Sequence, residues 1–122
     1  MKVTIETIPH ADQRYPTAGD WFFEGSGDLV IRVSDMGNWK YEALVAFHEL
    51  AEVLLCKSRG VVTAQADAFD MAFTGEGEPG DDPSCPYRRE HFFATNVERL
   101  LADQIGVDWQ EYDSAIEALW PA

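Results

Sequence analysis

The run "YEALVAFHELAEVLLC", Tyr41 to Cys56, sets His48, Glu49 and Glu52 inside an otherwise apolar helical pattern. Its spacing predicts one long helix from about Trp39 or Lys40 to Lys57, with Gly60 of the following "SRG" as the cap. Leu44, Val45 and Leu55 flank His48 and Glu52 on their face, and Phe47, Leu50, Ala51 and Leu54 make another face apolar. A helix that is apolar nearly all round reads as buried. A buried carboxylate without a partner is costly or becomes neutral, so the glutamates call for a metal ion, an arginine or water. Residues four apart stack on one helix face, so His48 and Glu52 can aim at a common atom, with Glu49 turned by about 100° beside them.

The rest of the chain supplies a setting for that helix. "VTIETI" and "DLVIRVSD" alternate apolar and polar residues, and Gly25-Ser26-Gly27-Asp28 is a hairpin signal between "DWFF" and the second of them. A small antiparallel sheet is expected from about residues 2–8, 20–24 and 28–34. Beyond the long helix, Thr63 reads as the N-cap of a helix ending near Phe73. "TGEGEPGDDPSCP", Thr74 to Pro86, is a loop long enough to be functional or mobile. A third helix is expected from Tyr87 to about Gln104, with Phe92, Phe93, Val97, Leu100 and Leu101 as its core stripe. A fourth follows the cap Asp108, with Trp109, Tyr112, Ile116 and Leu119 at helical spacing. The fold class is therefore α+β, a small N-terminal antiparallel sheet packed on three to four helices in a single domain, residues 1–122.

Charge narrows the partners. Nine Lys and Arg against 22 Asp and Glu give a formal net charge of -13. Such a chain repels phosphate backbones and anionic lipid surfaces, so neither direct nucleic-acid binding nor membrane binding is expected. A peptide or small-molecule substrate, or a protein partner, fits better. The two cysteines, Cys56 and Cys85, form no CxxC pair, and "MKVTIETIPH" has no apolar signal segment, so the expected setting is the cytoplasm.

"HELAE" resembles the HExxH motif of zincin metallopeptidases, in which two helical histidines hold zinc and the glutamate polarises the attacking water. The order is similar as well, with the strand "DLVIRVSD" before the helix and "RREHFFATNVERLLA" in the place of a later helix that carries the third ligand. The resemblance implies a divalent metal, zinc first, held by His48, Glu52 and either His91 or Glu90, with Glu49 as general base. Loop 74–86 is then expected to flank the cleft, and Tyr87 or Arg88, by proximity to His91 alone, to stabilise an oxyanion. The second motif histidine is Glu52 here, a carboxylate that admits harder metals such as manganese or iron. The chain as a whole also looks like small phage and prophage proteins of no assigned activity.

Other readings compete for these residues. Glu49 and Glu52 followed by Asp67 and Asp70 resemble the ExxE…ExxD carboxylates with which MazG-like nucleotide pyrophosphatases hold magnesium. A non-catalytic acidic interaction protein needs only that His48 and His91 be hydrogen-bonded core histidines and that the acids lie on solvated faces. His10, in a Pro-flanked loop, is expected to be exposed.

Overall fold

The computed structural model describes residues 1–120. Three strands, β1 (Val3–Ile8), β2 (Gly19–Phe23) and β3 (Leu29–Ser34), precede four helices, α1 (Trp39–Arg59), α2 (Thr63–Ala72), α3 (Arg88–Gln104) and α4 (Trp109–Glu117). The architecture is α+β, as the residue patterns predict. The strand order is β1-β3-β2, with β2 antiparallel to β3 through the 24–28 turn, where Gly27 adopts φ 88°.

β1 departs from the antiparallel expectation, since it pairs parallel to β3 with Val3 opposite Leu29 and Ile8 opposite Ser34. The hairpin signal joins only β2 and β3. Residues 9–18 carry the chain from one side of β3 to the other, so β1 and β2 never become neighbours and β1 runs with β3. Alternation then sends Leu29, Ile31 and Val33 to the helical side, where all three are buried, and Trp21 lies opposite Ile31 on that side.

α1 starts at Asn38, whose side chain accepts from the Lys40 and Tyr41 amides, and stops at Gly60 with φ 72°. α2 is capped at Val62 with no side-chain bond, so Thr63 opens the helix and does not cap it. Asp108 caps α4 through the Glu111 amide. α1 and α3 run antiparallel: Lys40 Nζ donates to the Ile105 carbonyl at one end (2.9 Å), and Arg59 pairs with Glu90 at the other (3.6 Å). Among the described residues no helix is long and apolar enough to cross a membrane.

Burial on α3 reverses the apolar-in expectation, while α1 buries Leu44, Val45 and Val53 together with its polar residues. Phe92, Phe93 and Leu100 of α3 are 69%, 51% and 71% exposed, and Phe47 and Leu54 of α1 also face outward. The buried sides carry His48, Glu49 and Glu52 on α1, and Glu90, His91 and Glu98 on α3. Across this seam His48, Glu52, His91 and Glu98 satisfy one another and Glu90 pairs with Arg59, which allows polar groups to stand on α3 where the larger apolar residues would otherwise pack. His10 is half-buried and not exposed, because its Nδ1 lies 2.8 Å from the Ser34 hydroxyl.

Candidate metal centre

His48 and Glu52 occupy consecutive turns of α1, and His91 enters from the first turn of α3. His48 Nε2 lies 3.1 Å from Glu52 Oε2 and 3.2 Å from His91 Nδ1, and His91 Nδ1 lies 2.9 Å from Glu52 Oε2. Three donor atoms thus face one point from three buried residues. Donors held about 2.1 Å from a common ion stand roughly 3.0 Å apart at right angles and roughly 3.4 Å apart at the tetrahedral angle. The observed edges match that spacing. His48, Glu52 and His91 form a group able to hold a metal ion.

Each donor has its own outer partner. His48 Nδ1 lies 2.8 Å from Glu98 Oε1, a carboxylate that can only accept, so Nδ1 carries hydrogen and Nε2 is left for the centre. Glu98 in turn accepts from the Tyr112 hydroxyl. Trp21 Nε1 donates to Glu52 Oε1 at 3.0 Å, leaving Oε2 to point inward. His91 turns Nε2 towards Glu78 and Asp81 at 3.3 and 3.2 Å, which fixes Nδ1 as its inward nitrogen. The 3-10 turn Pro79–Asp81 holds Gly80 flat against that ring: a Cβ there would stand 2.3 Å from His91 Nδ1, so only glycine fits. Ligand histidines pinned by carboxylates are the usual second layer of a metal site, and losing such a partner weakens metal affinity about 10- to 100-fold. Glu98→Ala is accordingly expected to weaken divalent-metal binding at this group by that factor, read by competition against a chromophoric chelator.

The electrostatics are those of a site prepared for positive charge. Burial opposes ionisation of Glu52, but hydrogen bonds from His48 and His91 outweigh it and hold the carboxyl down at about 2. Burial likewise opposes charge on the imidazoles. Against it, Glu52 and Glu98 lift His48 well above its ordinary value, and Glu52 and Glu78 lift His91 to about 10. Two imidazolium rings with centroids 4.7 Å apart repel each other, and a single cation between them removes that conflict.

Glu49 stands apart from the triad. It is 9% exposed, lines a cavity of about 690 Å³ together with His48, Glu52 and His91, and bonds to no described residue. Burial and the charge of Glu52 push its carboxyl well above the ordinary range. Gly19 of β2 makes the room, since a Cβ there would lie 2.7 Å from Glu49 Oε1 and from Val45 Cγ1. Loop residues 75–81 form the opposite wall, as the sequence predicts for the 74–86 loop.

The other sequence candidates fall elsewhere. Glu90 is buried but pairs with Arg59, outside the triad. Tyr87 reaches the cavity with its hydroxyl committed to Asp70, and Arg88 is exposed and does not line it. Asp70 also accepts from Tyr15 at 3.0 Å, and Asp67 pairs with Arg14 at 3.2 Å. The magnesium pattern Glu49, Glu52, Asp67 and Asp70 is therefore not assembled into one ligand group among the described residues, because a tyrosine pair and an arginine already hold its second half. Sequence reasoning missed Trp21, Glu78, Asp81, Glu98 and Tyr112. Only Glu98 carried a signal, seven residues beyond His91 and thus two turns along the same face of α3. Comparison with known proteins gave no match, whether to a family model, to a curated protein or to a solved structure.

Proposed function

We propose that this chain is a zinc-dependent hydrolase acting on an amide or peptide bond, with His48, Glu52 and His91 as ligands and Glu49 as general base. The observation that carries the reading is the convergence of three donor atoms, with His48 and Glu52 each held by an outer hydrogen bond and His91 by ion-pair contacts to Glu78 and Asp81, beside a carboxylate that bonds to no described residue. A zinc ion supplies a Lewis acid that polarises a carbonyl and brings the pKa of water towards neutrality.

The chain's own groups do the rest. Glu98 and the Glu78–Asp81 pair keep both imidazoles aimed inward, and Trp21 holds Glu52 to a single inward oxygen. Glu49 takes a proton from the attacking water at its free carboxylate and passes it to the departing nitrogen. With no described Lys or Arg lining the cavity and eight Asp or Glu in its wall, the site suits a carbonyl substrate better than a polyphosphate.

Elemental analysis of protein purified without added metal tests this. One equivalent of zinc is expected, falling to background in His48→Ala. Hydrolysis of a peptide pool should be lost on chelation and restored by zinc. Absence of any stoichiometric metal in the unmodified protein would overturn the reading.

A further inference from the structure

The cavity has a second property that the metal centre does not explain. Eight of its lining residues are Asp or Glu, and none of the described lining residues is Lys or Arg. Glu52, Glu78, Asp81 and Glu98 are engaged with the two histidines. Asp113 and Glu117 are not: they sit one turn apart on α4, exposed, and form neither hydrogen bond nor ion pair with a described residue. Trp109, Ile116 and Trp120 line the cavity from the same stretch of chain. The Trp109 ring already carries Arg99 at 4.8 Å and Trp120 packs against His10, so what the stretch offers a ligand is Ile116 and the ring edges beside uncommitted carboxylates. Such a surface suits a long side chain with its methylenes on the apolar part and its cationic end on the acids. Glu49, nine-tenths buried and without a partner in the same cavity, is an independent sign that the space is built to receive a ligand.

We propose that the cleft selects peptides with lysine or arginine next to the bond to be cut, the cationic end lying against Asp113 and Glu117. The proposal rests on the hydrolase reading for its reaction, though not for its binding preference. The overall charge of -13 adds to it by drawing cationic ligands towards the molecule.

The test uses the zinc-loaded full chain and a set of fluorogenic hexapeptides that differ at one position, Arg, Lys, Leu or Glu. We expect kcat/KM for Arg and Lys at least tenfold above Leu, with Glu lowest, and a loss of that preference in 0.5 M salt, about where screening shortens to a few ångströms. In the double variant Asp113→Asn, Glu117→Gln the Arg-to-Leu ratio should fall to about one. Zinc content and circular dichroism report whether that variant is folded. Should no peptide be cleaved, binding of the same set is read from tryptophan fluorescence. A tenfold Arg preference that the double variant removes then sustains the cationic pocket while ending the hydrolase reading. Equal or better use of Leu in whichever readout responds, no binding of any peptide, or a preference unchanged in a folded double variant, overturns the proposal.

Discussion

Exchanging Glu49 for glutamine is expected to lower peptide turnover by roughly 10² to 10⁴, the range a positioned general base contributes, while zinc content stays at one equivalent. The two parts separate because Glu49 is outside the ligand triad and bonds to no described residue, so its replacement leaves Trp21, Glu98 and the Glu78–Asp81 pair in place around the centre. Glutamine has the same shape and fits beside Gly19, but it cannot accept the proton of an attacking water. In the metal-free protein burial and Glu52 keep the Glu49 carboxyl protonated well above its ordinary range. A dication at the triad reverses the sign of the local field and favours the carboxylate, which is the form a base needs. Steady-state kinetics beside metal analysis of the same sample decide the matter. Full activity in Glu49→Gln would remove the base, and loss of zinc in that variant would make Glu49 a ligand.

The candidate ligands on α1 are legible because His48 and Glu52 are four apart on one helix, and because carboxylates inside an apolar run have few affordable fates. The third candidate, His91, is legible only through the resemblance of "HELAE" to the zincin motif, since nothing local in "RREHFFATNVERLLA" distinguishes His91 from Glu90. The burial of α3 was misread for a physical reason: Phe92, Phe93 and Leu100 are larger and more apolar than His91 and Glu98, so periodicity alone assigns them to the core. Hydrogen bonding across the α1–α3 seam fixes the rotation of the helix instead, and such pairing has no sequence period. Trp21 falls within an expected strand and is buried there, but nothing in "DWFF" shows that its indole nitrogen meets Glu52 from 31 residues away. The parallel direction of β1 was beyond the local pattern too, because alternation reports which face a residue takes and not which neighbour the strand finds.

Zinc affinity is expected to climb between about tenfold and 100-fold for each pH unit from 6.5 towards 10, while the stability of the metal-free protein moves the other way. The first slope follows from protons. With His91 lifted to about 10 and His48 well above its ordinary value, both imidazoles carry an extra proton in the metal-free protein at neutral pH, whereas Glu52, held at about 2, carries none. A cation must expel one proton from each ring it binds, and each proton released contributes a factor of ten per unit. Calorimetry in buffers of differing ionisation enthalpy counts those protons, with one to two expected. The second slope follows from linkage. A histidine whose pKa rises from 6.5 to about 10 on folding contributes stability that is complete below 6.5 and is lost as the pH passes through 10, so the Tm of the metal-free protein falls across that window. The contribution of Glu52 has the opposite sign and a different window, being complete above its unfolded value and lost only as the pH drops towards 2. Bound zinc stabilises in proportion to the logarithm of its affinity, so the gap in Tm between loaded and metal-free protein widens with pH. A gap that stays constant from pH 6.5 to 9 would mean that zinc binds without displacing protons from these rings, and the three inward-facing atoms would then be a hydrogen-bonded core and not a metal centre.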